Sequence, residues 1–264
     1  MNQNLSKIIQ NSHATIVEVP RGYGFDFAKK QIEFPAEAEI IDFLPQIHTG
    51  QKTEIINADD ILEIQQKIRG KNSHQQFIIF HSAEKMNEQA QNKFLKSLEE
   101  PRSNLHFVLL ANSAESFLPT VRSRSQIAKI SPISDLESLK ILKKFKLDET
   151  KTRQILFLAN GLPAELEKLA GDKKYFAQKL ESVEMAKKWL AGSAFEKLTL
   201  VGELKNDREK ALDFIEQILK ILQISTNEKT FSKTIPDAKK LLLAYRRIKK
   251  NGNIRLNLLQ AILQ

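Results

Sequence analysis

The sequence predicts an α/β domain on a mainly parallel five-stranded sheet, followed by helices alone. Two observations carry this reading. Strand-like runs at 16–19, 39–43, 77–80, 106–111 and 126–130 alternate with helical segments, and strand signals stop after Pro132. Strands separated by helices imply parallel pairing with both faces of the sheet covered.

The helices can be justified one by one. The segment opening at Asp59-Asp60 places Ile61, Ile64 and Ile68 on one face and stops at Gly70. It has the acidic first turn and glycine stop of a short helix. Asn87 is a good N-cap for the next, where Met86, Ala90, Phe94 and Leu98 recur at four-residue steps until Pro101 forbids continuation. Ser134-Asp135-Leu136-Glu137 reads as a capping box, and Leu136, Leu139, Leu142 and Phe145 mark the face that follows. A further helix runs to Asn160-Gly161, and Pro163 opens another in its first turn. From about Gly171 onward the pattern is helical throughout.

Composition narrows the function classes. Of 264 residues, 41% are hydrophobic and 28% charged, which suits a globular protein and is too apolar for disorder. No apolar run approaches the roughly 20 residues that cross a bilayer. Met1 to Gln10 is polar and lacks a signal-peptide core, so a cytoplasmic location is expected, with no membrane partner. Without cysteine, disulfides and cysteine-based zinc sites are excluded. His13, His48, His74, His81 and His106 form no close pair at ligand spacing, so no metal is expected. The net charge of +9 favours polyanionic company, although the lysines are scattered along helix faces. The run Tyr245-Arg246-Arg247-Ile248-Lys249-Lys250 reads as a solvated helix face with Tyr245 and Ile248 inward, ahead of a DNA contact. Trp189 and the phenylalanines read as core.

One stretch carries a resemblance. The strand 77–80 leads to a helix ending in Leu98-Glu99-Glu100-Pro101, then to the strand 106–111, then to Leu118-Pro119-Thr120-Val121-Arg122-Ser123-Arg124-Ser125-Gln126. This order resembles the clamp-loader branch of the AAA+ ATPases. Here Ser125 stands where that branch has cysteine in its L-P-T-[IV]-x-S-R-C motif. The tail Asn251-Gly252-Asn253-Ile254-Arg255-Leu256 also resembles the start of the family's last helix, and Ala159 to Pro163 its glycine turn. The resemblance implies three units: a degenerate AAA+ α/β domain over 1–131, a helical lid over 132–170 and a helical collar for oligomerisation over 171–264.

Against that family, the nucleotide machinery is broken. A P-loop needs glycine N–H groups around the phosphates, a lysine on them and Ser/Thr on magnesium. The matching stretch is Val19-Pro20-Arg21-Gly22-Tyr23-Gly24-Phe25-Asp26. Gly22 and Gly24 survive and are expected to make a plain strand-to-helix turn. Val19 replaces the first glycine, Phe25 the lysine and Asp26 the Ser/Thr. A carboxylate beside a triphosphate is repulsive. The metal-binding carboxylates after 77–80 are replaced by His81 and Ser82, and no arginine stands near Ala164, where the lid would sense nucleotide. Asn112, at the sensor position, is expected to be vestigial or to cap its strand. No four-cysteine knuckle is inserted between Phe43 and Asp59. No cofactor is therefore expected, and no hydrolysis by the chain itself.

What survives is Ser123-Arg124-Ser125. In the family this arginine reaches the ATP site of the next subunit, where a guanidinium can bridge γ-phosphate oxygens. Arg122 is the weaker candidate. The resemblance implies a helper subunit of the bacterial DNA polymerase III clamp loader. Its partners would be a gamma/tau-like ATPase subunit and a delta-type subunit, with the sliding clamp and primed DNA reached through the complex. Two alternatives stay open: an active AAA+ ATPase with an aberrant loop, and a degenerate AAA+ module that binds DNA through its basic surface.

Overall fold

The computed structural model describes residues 3–68, 74–100, 102–225 and 228–263. They divide into two compact units, Met1–Gly171 and Asp172–Gln264. In the first, the elements run α1 (Gln3–Asn11), β1 (Ala14–Glu18), α2 (Phe25–Lys29), β2 (Glu39–Phe43), α3 (Ala58–Lys67), β3 (Gln76–Phe80), α4 (Glu88–Glu99), β4 (Leu105–Ala111), α5 (Pro119–Arg122) and β5 (Gln126–Lys129). Three helices follow: α6 (Asp135–Leu142), α7 (Glu149–Ala159) and α8 (Pro163–Gly171).

The five strands form one sheet in the order β2-β3-β4-β1-β5, with every neighbouring pair parallel. Side chains alternate across a strand, so each strand feeds two cores. Ile78, Phe80, Phe107 and Leu109 point to the face covered by α3, α4 and α5, where Ile61, Ile64, Phe94, Leu98 and Val121 meet them. Phe77, Ile79, Val108 and Leu110 point to the other face, against Leu5 and Ile9 of α1 and Ala28 of α2. That double burial explains the apolar runs Phe77–Phe80 and Phe107–Ala111 within β3 and β4.

Local chemistry sets the helix starts. Asn57 caps α3, accepting from the Asp59 and Asp60 N–H groups, while Asp60 accepts from the Asn57 N–H at 2.8 Å. Asn87 caps α4 through the Ala90 N–H, and Ser134 with Glu137 closes the expected capping box of α6. Asn160, in the left-handed region at φ 49°, ends α7. The expected stops at Gly70 and Pro101 lie outside the described residues.

Two expectations need correction. Strand alternation did not foresee α1, whose sequence is polar apart from the residues that reach the sheet. The face expected for α6 is only partly inward: Leu142 is buried, but Leu136 is 73% exposed and Leu139 37%. The helix turns Ser138 and Leu142, one turn apart, into the unit, which leaves Leu136 outside.

The second unit consists of α9 (Lys173–Ala191), α10 (Ala194–Leu204), α11 (Arg208–Ser225), α12 (Glu228–Lys249) and α13 (Ile254–Leu263). Its core gathers Trp189, Val201, Leu204, Phe214, Ile218, Leu241, Ile248 and Leu258, with Trp189 and Phe214 edge to face at 5.5 Å. Ile248 is buried and Tyr245 packs, half-buried, against the same core, so both face inward as expected of the basic run. Asn253 accepts from the Leu256 N–H and starts α13.

Candidate functional site

In open parallel sheets, ligands bind outside the carboxyl ends of the strands. Here those ends carry the loop after β1, His81 and Ser82 after β3, and Asn112 after β4.

The loop after β1 is built tightly. The Val19 N–H donates to Ala111 O at 2.8 Å, extending the β1–β4 ladder, and the Tyr23 N–H closes a turn on Pro20 O at 2.9 Å. Gly22 and Gly24 have φ of +82° and +86°, which favours glycine. Tyr23 drops its ring into the core, and burial, with Glu137 adding to it, pushes its phenol above the usual range.

The space above this loop is filled by the chain itself. At the start of α8 the Glu165 N–H donates to Gly22 O at 2.8 Å and the Ala164 N–H to Tyr23 O at 3.2 Å. These are first-turn donors, free by helix geometry to bind something else. A β-carbon on Gly24 would stand 2.9 Å from that of Ala164, and one on Gly22 would stand 3.3 Å from that of Glu165. The glycines thus permit close approach of a helix, in addition to turning the chain.

Phe25 packs partly into the core on the α1–α2 face, and the Asp26 side chain is 91% exposed. His81 is buried, with Nε2 at 2.8 Å from Asp42 Oδ1, and its Nδ1 lies 3.9 Å from Asp26 Oδ1. Lys29 donates to the other oxygen of Asp42. Burial would raise the Asp42 carboxyl, but Lys29 and His81 outweigh it and hold the group below the usual carboxylate range. Ser82 sits in the left-handed region at φ 48°. The Asn112 amide donates to Val19 O at 3.0 Å, tying the end of β4 to that of β1. Beside it, Glu18 accepts the Ala114 N–H at 2.8 Å. That bond and Lys129 outweigh burial and hold its carboxyl low.

This arrangement does not fit a Mg-triphosphate. Lys29 is tied to Asp42, Asp26 adds negative charge, and the α8 donors are bound to the loop. The expected roles of Asn112 as a strand-end tie and of Gly22 and Gly24 as a turn agree with the geometry. Among the described residues no cluster of His, Asp or Glu is arranged to hold a metal.

Ser123, Arg124 and Ser125 stand elsewhere, on the turn between α5 and β5. The serine hydroxyls donate to Thr120 O and Val121 O. Arg124 is partly exposed, with Nη2 at 3.0 Å from Glu99 Oε1 at the end of α4 and Nη1 donating to Thr120 O at 3.2 Å. Gln91, buried on α4, anchors the segment ahead of the turn: it accepts the Leu118 N–H at 2.7 Å and donates to Met86 O. Arg122 keeps its Nε buried without a hydrogen-bond partner. Sequence reasoning missed Asp42, Lys29, Glu99 and Gln91. Only Glu99, inside the Leu98-Glu99-Glu100-Pro101 signature, carried a signal that could have found it.

Comparison with known proteins adds a set of similarities. Residues 29–134 match the family described as DNA polymerase III, delta subunit. The chain is 35% identical over 78 residues to the DNA polymerase III subunit delta' of Haemophilus influenzae, covering 29% of this chain and 24% of that protein. It is 31% identical over 122 residues to the subunit delta' of Pseudomonas aeruginosa, covering 44% of this chain and 37% of that protein. Among solved structures, a DNA polymerase III gamma subunit-related protein of Thermotoga maritima aligns at TM-score 0.44 and 19% identity, covering 98% of this chain and 96% of its own. The resemblance carried by residues 77–126 therefore holds: residues 29–134 are similar to the DNA polymerase III delta-subunit family, and part of the chain is similar to DNA polymerase III delta' subunits, of whose length it spans about a quarter to a third.

Proposed function

We propose that the chain is the non-hydrolysing, delta'-type subunit of a bacterial DNA polymerase III clamp loader, working in the cytoplasm in DNA replication. The observation that carries this reading is the contrast between the two sites. The nucleotide crevice is filled by the first turn of α8 and lacks its cation, whereas Arg124 stands on an exposed turn outside it. A guanidinium needs no nucleotide of its own to serve a neighbour's. Phosphoryl transfer spreads charge over the γ-phosphate oxygens, and Arg124 would stabilise that charge in trans with two parallel donors. The chain would contact a gamma/tau-like ATPase subunit and a delta-type subunit. Residues 171–264 would form the collar that holds it in the ring, and 132–170 the lid. The complex, not this chain alone, would place the sliding clamp on primed DNA.

Two measurements test the reading. In the reconstituted loader, Arg124→Ala should lower DNA-stimulated ATP hydrolysis; an unchanged rate removes the finger. In isolation, the chain should bind no Mg-ATP at millimolar concentrations, on the order of the weakest specific affinities. Micromolar binding would favour an active ATPase instead.

A further inference from the structure

Arg124 is not free in this chain. Its two terminal nitrogens both turn back on its own unit, Nη2 to the Glu99 carboxylate at 3.0 Å and Nη1 to Thr120 O at 3.2 Å. We infer that Glu99 is a positioning residue that parks the Arg124 guanidinium and so restrains ATP hydrolysis in the neighbouring subunit. This rests on the trans role proposed for Arg124.

The physical argument is one of competition. A γ-phosphate approaching the same guanidinium must share it with, or take it from, a carboxylate already in contact. Like charges held on one cation repel. The guanidinium has five donors, so the phosphate can win, but only by an exchange of anions. Both partners of the pair are partly solvated, at 39% and 53% exposure, which keeps the latch weak. Pairs of that kind shift an equilibrium by roughly 1.5- to 5-fold. That is strong enough to bias the finger toward its parked position and weak enough for a bound triphosphate to release it. Glu99 ends α4, whose Gln91 also ties down the segment leading to the turn, so a movement of α4 would reach the carboxylate and the finger's base together.

The test uses the assembled loader and four versions of this subunit: wild type, Glu99→Gln, Arg124→Ala and the double variant. Glu99→Gln keeps size and an acceptor oxygen and removes only charge. It should raise kcat for ATP about 1.5- to 5-fold with KM unchanged, because only the step that engages the finger is restrained. The gain should shrink as salt rises, and it should vanish in the Arg124→Ala background. An unchanged or slower Glu99→Gln loader, or a gain that persists without Arg124, overturns the latch. If Arg124→Ala alone has no effect, the trans finger itself fails, which is a different result.

Discussion

Gly24 and Ala164 leave no room between them: a β-carbon on the glycine would lie 2.9 Å from that of the alanine. The positive φ of Gly24 adds a second constraint, because L side chains seldom adopt it. Gly24→Ala should therefore push α8 off the loop and strain the backbone, destabilising the first unit by about 1–3 kcal/mol. Urea titration followed by tryptophan fluorescence would miss this, since the only tryptophan, Trp189, lies in the second unit. Far-ultraviolet dichroism or hydrogen exchange at Ala164 and Glu165 would detect it. A neutral result would mean that the helix and loop are not firmly docked.

The same contact predicts that placing a lysine and a threonine in the loop after β1 is not sufficient for nucleotide binding. Phe25→Lys with Asp26→Thr supplies a cation and a hydroxyl, but leaves the α8 donors of Ala164 and Glu165 bound to Tyr23 and Gly22. Calorimetric titration of this double variant with Mg-ATP should show no binding in the micromolar range. Saturation there would mean that charge, and not closure, keeps nucleotide out.

How much of this was legible beforehand depends on range. The runs Phe77 to Phe80 and Phe107 to Ala111 announce buried strands because both their faces are covered, so no polar residue interrupts them. The caps Asn87 and Ser134 bond within three residues and are read from spacing alone. Asp42 and His81 are joined only because β2 and β3 pair in parallel register, which local patterns do not encode. The docking of Ala164 on Gly24 joins segments far apart in sequence. The sequence puts Phe25 and Asp26 where a lysine and a hydroxyl are expected and His81 where a carboxylate is expected; it does not show what fills the space.

The carboxyls of Asp42 and Glu18 give the first unit a pH dependence of known sign. Both are held below the usual range in the folded chain, Asp42 by Lys29 and His81 against the opposing effect of burial, Glu18 chiefly by the Ala114 N–H. The folded state therefore binds fewer protons than the unfolded one. Their stabilisation is fully present above the unfolded carboxylate range of roughly 4 and is lost as pH falls through the lowered folded values. Wild type should exceed Asp42→Asn and Glu18→Gln in urea stability at neutral pH, and the differences should narrow in acid. A difference that grows on acidification would contradict both assignments.

Gln91 offers the sharpest test of how the arginine turn is held. Its side chain is buried on α4, accepts the Leu118 N–H at 2.7 Å and donates to Met86 O at 3.1 Å. Gln91→Leu keeps the volume and strips out these bonds and the longer one to Ser116 O at 3.4 Å, leaving one backbone donor and two backbone acceptors without this partner. Each buried group left unsatisfied costs about 1–3 kcal/mol. Val121, fully buried one turn beyond Leu118, would still anchor α5 to the core, so the loss should be local. Hydrogen exchange should speed at Leu118 while the strands β3 and β4 stay protected, and global stability should fall by no more than the combined penalty. Uniformly faster exchange across the sheet would mean instead that Gln91 supports the core, and that the turn carrying Arg124 is held by Val121 alone.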